Sequence, residues 1–293
     1  MTAISTSSST PAAGGEGGAA AFVDLHAHST ASDGSRTPGD VVREAKRVGL
    51  SAIALTDHDT LDGIAEAVAA GAEVGVRVVP GVELSAVEGD SETHILGLHL
   101  SDTRELEGRL VSLRDMRRTR AQRIVHRLNE LGVRIEFASV LEQASGGAIG
   151  RPHVARAMIA EGWAVDFRDA FERYLGNGRP AYVGKERLAI TDAIGLIHRA
   201  GGLAILAHPA HTATRDRIAA FVQQGIDGVE VRHPSHSPED VARILALVDH
   251  FSLVPSGGSD WHGATDGPRT LGMMRVPADW LGRQDGRVRA RAA

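Results

Sequence analysis

Short apolar runs that each end in histidine, aspartate or glutamate recur along this chain and constrain its fold more than any other feature. Early runs are FVDL before HAHSTASDG and SAIAL before TDHDT, and late runs are LAIL before AHP and SLVPSGG before SDWHG. Helical patterns such as PGDVVREAKRVGL separate most of them. Buried strands that alternate with helices are typical of a parallel sheet, whose polar strand ends meet at one edge. The sequence therefore predicts an α/β fold with a site at that edge.

Composition limits the chemistry that this site can use. The 293 residues are compatible with one large α/β barrel or with two unequal domains. The absence of cysteine excludes disulfides, thiolate metal sites and cysteine nucleophiles. Any metal would be held by imidazole and carboxylate, which suits Zn²⁺, Mn²⁺ or Fe²⁺. The formal charge of -5 does not mark the whole chain as a nucleic-acid binder, although local basic patches remain possible.

The strand-helix rhythm is interrupted after about residue 100, where helical patterns alone continue to about residue 175. We predict a helical insertion there. The Ser/Thr/Ala/Gly-rich N-terminus is a poor signal peptide, and no run approaches the ~20 apolar residues of a membrane span. We therefore expect a cytoplasmic protein without a membrane partner. The predicted divisions are a disordered leader at 1–21, α/β parts at 22–101 and 181–280, the insertion at 102–180 and a flexible tail at 281–293.

The first candidate ligands follow the first two strands. His26 and His28 are two residues apart, so extended chain would turn both imidazoles to one face and toward one ion. Asp33 follows in a Ser/Gly-rich loop that can fold back over them. His58 is the candidate in TDHDT, where Asp57 or Asp59 could orient an imidazole, or Asp59 or Thr60 could cap the next helix.

Two further candidates lie within apolar strands. Glu83 ends VRVVPGVEL, where a buried carboxylate is costly unless it is paired or bound to metal, and it could bridge two ions. His94 lies in THILGLHL. Taken singly, each of these residues could equally be a hydrogen-bonded core group.

Two late strand ends favour metal binding over a role as hydrogen-bonded core groups. His208 follows LAIL directly, and Asp260 and His262 form another pair two residues apart. Five strand ends that carry histidine or carboxylate in the same sense are hard to explain as independent accidents. They predict a metal site.

These motifs resemble those of the polymerase and histidinol phosphatase (PHP) superfamily. The matching segments are DLHAHSTASDG, ALTDHDT, PGVELS, HILGL, LAHP and GGSDWHG, in order over roughly residues 22 to 272. The resemblance implies a distorted (β/α)7 barrel with a helical insertion subdomain, and a centre of three divalent metal ions (Mn²⁺, Zn²⁺ or Fe²⁺). The ligands that it implies are His26, His28, Asp33, His58, Glu83, His94, His208, Asp260 and His262.

Within the superfamily, the chain is most similar to bacterial nucleotide phosphoesterases, which include 3′,5′-nucleoside bisphosphate phosphatases and 5′-to-3′ exoribonucleases. Asp33, the long insertion and the segment IGRPH at 149–153 carry this similarity. It implies hydrolysis of phosphate monoesters or diesters by a metal-bound hydroxide, with His208 and Asp260 in supporting catalytic roles. The expected partner is a nucleotide or short RNA, not double-stranded DNA, and the expected state is a monomer or small homo-oligomer.

Other functions remain open from the sequence alone. Histidinol-phosphate phosphatase would be the same chemistry on another substrate, although Asp33 and the insertion weigh against it. A non-catalytic PHP module predicts eroded ligands, whereas all nine positions are filled. A metal-dependent amide hydrolase would leave the candidate phosphate-binding arginines unexplained.

Phosphate recognition normally uses arginine, whose planar fork matches phosphate oxygens. Arg151 in IGRPH is the main candidate, and weaker ones are Lys185, Arg232, His233 and His236. Surface ion pairs are the alternative for Lys185 and Arg232. The Arg-rich segment RDMRRTRAQRIVHR could gather RNA phosphates, but we expect most of its arginines to form a solvated face paired with Asp115 and Glu130.

Overall fold

A computed structural model describes residues 21–88, 91–144, 149–184 and 188–293. The predicted leader, except for Ala21, and Lys185 lie outside the described residues. The strands are β1 Phe22–Asp24, β2 Ala52–Leu55, β3 Arg77–Glu88, β4 Ser91–Leu98, β5 Leu188–Ala189, β6 Leu203–Leu206, β7 Gly228–Arg232, β8 Val254–Gly257 and β9 Val276–Pro277. The helices are α1 Pro38–Arg47, α2 Ile64–Val74, α3 Arg104–Glu130, α4 Phe137–Ala144, α5 Arg151–Ala160, α6 Phe167–Ala170, α7 Ile190–Arg199, α8 Arg215–Gln223, α9 Pro238–His250 and α10 Ala278–Ala292. A π-helical turn at Phe171–Leu175 follows α6, and a 3₁₀ turn spans Ala210–Thr212.

Seven strands form a nearly closed barrel in the order β1, β2, β3, β4, β6, β7 and β8. The ring closes between β8 and the residues that follow β1: Leu25 N donates to Gly257 O at 3.0 Å, and His28 N donates to Trp261 O at 2.9 Å. Strands β5 and β9 are short additions that pair with β3 and β1. The prediction of a distorted seven-stranded α/β barrel is confirmed.

Strand β4 is the source of the distortion and departs from the parallel order that the alternating pattern predicts. It pairs antiparallel with β3 on one side and with β6 on the other. Only residues 89 and 90 separate β3 from β4, which is too short for the crossover that a parallel neighbour needs. His94 therefore lies in the first half of its strand, on the side of the carboxyl ends of the parallel strands, and β4 then runs away from that edge.

Local sequence signals explain where several helices begin and end. The side chain of Thr37 accepts a hydrogen bond from Asp40 N, and Pro38 occupies the first turn of α1. Ser237 and Asp240 form a capping box at the start of α9. Gly75 ends α2 in the left-handed conformation, with φ of 71°. Within the part of the chain that the structure describes, no helix combines the length and apolarity that crossing a membrane requires.

Helix α3 joins two hydrophobic cores. Its 27 residues extend about 40 Å at 1.5 Å per residue. Leu106, Leu110 and Leu113 pack into the barrel core, whereas Ile124 and Leu128 belong to a second core formed with α4 and α5. The predicted boundary at residue 102 thus falls just before a helix that continues from the barrel into the helical region.

The predicted flexible tail at 281–293 is instead most of helix α10, which is a correction. Trp280 and Leu281 are buried against the barrel. Gln284 is fully buried and donates to Pro255 O at 2.9 Å, while its carbonyl oxygen lies 3.1 Å from His99 Nε2. These contacts hold a segment whose own sequence lacks apolar periodicity, so tertiary packing overrides the local pattern.

Candidate metal centre

Glu83 on β3 is the hub of a cluster at the carboxyl edge of the barrel. Its side chain is 1% exposed and makes close contacts through both carboxylate oxygens. The Oε2 atom lies 3.1 Å from His26 Nε2, 3.2 Å from His28 Nε2 and 3.3 Å from His58 Nδ1, and the Oε1 atom lies 2.8 Å from His94 Nδ1 and 3.0 Å from His208 Nε2. Five imidazoles, carried by four strands and the residues that follow them, therefore converge on one buried carboxylate.

The spacing of four donor atoms fits a tetrahedral cation. His26 Nε2 and His28 Nε2 are 3.1 Å apart, and each lies 3.1 to 3.2 Å from Glu83 Oε2. Asp260 Oδ1 lies 3.5 Å from His26 Nε2 and 3.1 Å from His28 Nε2. Donors about 2.1 Å from a tetrahedral ion are about 3.4 Å apart, close to these separations. Imidazole and carboxylate donors without thiolate suit Zn²⁺, Mn²⁺ or Fe²⁺.

Three further groups of donors overlap the first. They are His28, Asp33, His58 and His262; His58, Glu83 and His94; and His26, Glu230 and His233. Asp33 Oδ1 lies 3.3 Å from His262 Nε2, and the Asp33 side chain is 52% exposed, so this end of the cluster opens to solvent. The buried Nδ1 of His28 has no hydrogen-bond partner among the described residues and faces Asp33 Oδ1 at 3.8 Å. The structure thus brings all nine sequence-predicted ligands together.

The charges of the cluster are mutually dependent. Burial alone would raise the pKa of Glu83, but His26, His58 and hydrogen bonds from His208 and His26 hold it well below its usual range. Burial disfavours a charged His28, yet Asp260 and Glu83 raise the pKa of His28 to about 9. Burial lowers the pKa of His58 to about 4, which leaves a neutral imidazole suited to ligation. The carboxylates are therefore ionised and need nearby positive charge.

Glu230 is a site residue that the sequence reasoning missed. It is fully buried on β7, and its Oε1 atom lies 3.1 Å from His26 Nδ1. Its Oε2 atom accepts from His208 N at 2.8 Å. The sequence did contain a signal for this residue. A glutamate inside the apolar run GVEVR, like Glu83, is a buried carboxylate that is costly unless it is paired or bound to metal.

His233 also lies in the cluster rather than among substrate contacts. Its ring is buried, and Nε2 is 3.4 Å from Asp260 Oδ2, while Nδ1 lies 2.7 Å from Ser235 Oγ. The His233 ring centroid is 5.2 Å from that of His208. Its predicted phosphate contact is replaced by a place beside the candidate ligands.

Three buried aspartates hold the loops that carry the cluster. Asp57 accepts from Ser29 N and from Ser29 Oγ, both at 2.7 Å, and Asp59 accepts from Ser85 N at 2.9 Å. Neither hydrogen-bonds an imidazole among the described residues, and Gly63 is the N-cap of α2, so both earlier readings of this pair are corrected. Asp24 accepts from Ser259 N at 3.0 Å and from Gly272 N at 2.9 Å.

The backbone is unusual at three strand ends. Asp59, His208 and Asp260 have φ angles of 49°, 31° and 50°, in the left-handed region that non-glycine residues seldom adopt. Such conformations persist where surrounding contacts enforce them, commonly at functional sites. Gly258 permits the close approach of the last strand to the first, since a Cβ there would lie 2.4 Å from His26 Cβ.

A cleft of about 370 Å³ borders the cluster on the side of the helical region. Asp33, His58 and His94 form its barrel wall, and the opposite wall includes Arg151 and His153 from α5 together with Arg117 and Arg120 from α3. Arg151 Nη1 donates to Leu175 O and to Asn177 Oδ1, both at 3.2 Å. Its guanidinium also lies over the rings of Phe171 and Tyr182. Arg151 is therefore positioned at the cleft, as the sequence predicts for a phosphate contact.

Two weaker phosphate candidates have other partners. Arg232 donates to Met274 O at 3.4 Å and packs over Trp280, on the side of α10. His236 uses both ring nitrogens: Nδ1 faces Val231 O at 2.9 Å, and Nε2 accepts from Ala210 N at 3.1 Å. The structure does not bring either side chain to the cleft, which corrects their predicted role.

The arginines of α3 bond other segments rather than Asp115 and Glu130. Arg117 donates to Asp59 Oδ2 and to Ser85 Oγ, and Arg114 donates to Thr60 Oγ1 at 2.9 Å. Arg120 Nε donates to Val183 O at 2.8 Å. Separately, Arg269 donates to Asp260 Oδ2, a contact that no sequence motif indicated. The salt bridges that were expected along the α3 surface are thus replaced by hydrogen bonds to other segments of the chain.

A family model described as PHP domain matches residues 24–176, a stretch that includes six of the nine predicted ligands. The chain belongs to the PHP domain family. The resemblance predicted from its six motifs is therefore confirmed.

Relatives of this PHP chain cover almost its whole length. It is 36% identical over 259 residues to a 3′,5′-nucleoside bisphosphate phosphatase from Chromobacterium violaceum, which spans 86% of this chain and 91% of the relative. It is 36% identical over 251 residues to the 5′-3′ exoribonuclease Rnm of Escherichia coli, covering 83% and 86% of the two chains. A crystal structure described as that of a candidate metal-dependent phosphoesterase from Bifidobacterium adolescentis superimposes with a TM-score of 0.76 at 31% identity, covering 92% of this chain and 97% of the other.

Proposed function

We propose that this PHP chain is a metal-dependent phosphoesterase that hydrolyses phosphate monoesters or diesters of nucleotides. The observation that carries the proposal is that four overlapping groups of His, Asp and Glu donors border a cleft lined by arginines. Relatives named for a nucleoside bisphosphate phosphatase and an exoribonuclease support the same substrate class. A site for electrophilic ions beside guanidinium donors is suited to phosphoryl transfer to water.

The proposed cofactors are three divalent ions, with Mn²⁺, Zn²⁺ and Fe²⁺ all compatible with the donors. The ligands would be His26, His28, Asp33, His58, Glu83, His94, His208, Asp260 and His262, and Glu230 and His233 lie beside them. Bound ions would lower the pKa of a coordinated water and oppose negative charge on the phosphoryl oxygens. Glu83 would offer both carboxylate oxygens to these ions, because Oε2 faces His26 and His28 and Oε1 faces His94 and His208.

The chain's own residues supply position and proton control. Among the described residues, Nε and Nη2 of Arg151 donate no hydrogen bond, so these two donors can hold phosphate oxygens while Nη1 stays fixed by Leu175 and Asn177. His208 is 30% exposed and contacts Glu83, and it is proposed to support the attacking water from the rim of the cluster. Asp260 lies between His28 and Arg269 and is proposed to support the attacking water.

The proposal is tested with a substrate panel and metal analysis on one preparation. The panel contains a nucleoside 3′,5′-bisphosphate, a short 5′-phosphorylated RNA and histidinol phosphate, each assayed with Mn²⁺ and with excess chelator. Hydrolysis of either nucleotide substrate, abolished by chelation and restored by Mn²⁺, is expected. Faster turnover of histidinol phosphate would overturn the substrate class, and chelator-resistant activity would overturn the metal dependence.

A further inference from the structure

A second cavity lies along the barrel-facing side of α3 and has no role in the proposed reaction. Its volume is about 440 Å³, which is enough for one drug-sized ligand. Gly108 and Val111 line one part of it, and Arg123 lines the part toward the second core. We call this cavity the α3 groove. The helical rise from residue 108 to residue 123 makes it about 22 Å long.

The α3 groove continues directly into the cleft beside the metal cluster. Ser85, Arg117 and Arg120 line both cavities. Arg117 is fixed there because it donates to Asp59 Oδ2 and to Ser85 Oγ. A ligand that extends from the cluster through the cleft would therefore pass two guanidinium groups before it enters the groove.

The charge of the α3 groove suits a phosphate chain. Arg117, Arg120 and Arg123 line it, against two carboxylates, Asp59 and Asp115. Arg120 donates to a neutral carbonyl, Val183 O, and burial together with the nearby Arg151 lowers its pKa. Arg123 is exposed and makes no hydrogen bond or ion pair with another described residue. Guanidinium groups that are crowded and incompletely neutralised favour an anion between them.

The opposite side of the cluster has the reverse balance. A larger open region of about 840 Å³ is lined by His94 and His208, with Glu88 and Glu92 against a single arginine, Arg217, and Glu92 also lines the cleft. Arg217 is itself paired with Glu88 at 2.7 Å. A polyanion leaving the cluster is therefore favoured on the α3 side.

We propose that the α3 groove binds the nucleotide that follows the scissile phosphodiester in a single-stranded RNA substrate. This inference rests on the proposed phosphoesterase function and extends it by assigning a binding site for the part of an RNA substrate beyond the scissile bond. Arg117 and Arg120 contact the first RNA phosphate beyond the cleft, and Arg123 contacts the phosphate after it. Val111 and Met116 supply an apolar surface against which the base can pack. A nucleoside bisphosphate is too short to enter the groove and uses the cleft alone.

Two variants of groove residues outside the cleft test this proposal. Arg123→Glu reverses a charge without breaking a contact with a described residue. Gly108→Trp fills the groove, and a Cβ at this helical position meets no heavy atom within 4 Å. Arg134→Glu is the matched control, because Arg134 is also exposed on the helical region but lines neither the cleft nor the groove. Each variant is assayed with Mn²⁺ on a nucleoside 3′,5′-bisphosphate and on a 5′-phosphorylated RNA tetramer.

The expected result is a fall in kcat/KM of about tenfold on the tetramer for both groove variants, with the bisphosphate rate unchanged. Arg134→Glu should leave both rates unchanged. Equal rates on the tetramer for wild type and both groove variants would overturn the groove assignment while the phosphoesterase function stands. Absence of wild-type activity on both substrates would instead overturn the proposed function.

Binding provides a readout that does not depend on turnover. Fluorescence anisotropy of a labelled 5′-phosphorylated tetramer should give a Kd about tenfold weaker for Arg123→Glu than for wild type. The difference should shrink as salt increases, because phosphate contacts release counterions. Identical Kd values at low salt would overturn the proposal even if catalysis were absent.

Discussion

Glu230 Oε1 lies 3.1 Å from His26 Nδ1, and both side chains are fully buried. This contact fixes the ring of His26 so that Nε2 faces Glu83 and Asp260. The charge of His26, set against the effect of burial, lowers the pKa of Glu230 to about 2. A carboxylate behind a metal-facing imidazole holds both its tautomer and its orientation.

Replacing Glu230 by glutamine should weaken metal binding without removing a ligand of the first donor group. The expected loss of metal affinity is about 10- to 100-fold, as is usual for outer partners of ligating histidines. Competition with a chromophoric chelator measures it, and Glu239→Gln, at an exposed glutamate on α9, is the control. Unaltered affinity in Glu230→Gln would contradict the orienting role.

Replacing Glu83 by alanine should remove at least one ion from each chain and lower activity by more than the about 100-fold expected for an outer partner. The reason is that five imidazoles lose the carboxylate that they share. Metal analysis and thermal unfolding are measured together. Full metal content in a folded Glu83→Ala protein would refute its bridging role.

Arg151→Ala should raise KM for a nucleoside bisphosphate by about tenfold, because a charged hydrogen bond to phosphate contributes about 1.5 to 3 kcal/mol. Arg151→Lys should recover only part of this, since lysine lacks the planar fork. Arg156→Ala on the same helix is the control, because Arg156 packs over Phe167 and does not line the cleft. Steady-state kinetics with unchanged kcat and KM in Arg151→Ala would exclude the contact.

Asp227→Asn should reduce stability by about 2 kcal/mol near neutral pH. Burial would raise the pKa of Asp227, but hydrogen bonds from His198, Ala204 N and Arg291 lower it. A depressed carboxyl pKa contributes stability that is present above the unfolded value of about 3.9 and is lost as pH falls through the folded value. Urea unfolding should therefore show wild type and variant converging in acid. A difference that stays constant as the pH falls below about 3.9, or one at neutral pH equal to that of the exposed-site control Asp279→Asn, would contradict this prediction.

Removal of residues 278–293 should cost more than about 3 kcal/mol, because it exposes the barrel surface under Trp280 and Leu281 and leaves Pro255 O without its partner. Thermal unfolding of the truncated chain is the measurement. A truncated protein with the wild-type melting temperature would restore the view of this segment as a free tail.

Local patterns predicted an α/β fold with candidate ligands at one edge, because strand ends in a parallel sheet have a fixed direction. The seven-stranded barrel and the full set of nine ligands were implied by the resemblance to the PHP superfamily. The direction in which the Arg232 side chain points could not be predicted in this way. The pairing of β7 with β8 shifts register between Glu230 and Arg232, so simple alternation no longer says which way Arg232 points. Helix α10 was missed for a different reason: Gln284 is held by Pro255 and His99, which are distant in sequence.

The length of helix α3 fixes where its later residues lie relative to the two ends of the barrel. Antiparallel β4 delivers the chain to the edge opposite the cluster, and the fourteen helical residues from Arg104 to Arg117 then carry it back to Asp59. A loop could change length without penalty, but one residue removed from this span would turn everything beyond it by about 100°. The direction in which the arginines of the α3 groove project is therefore set by the number of helical residues that precede them, counted from the edge of the barrel opposite the cluster.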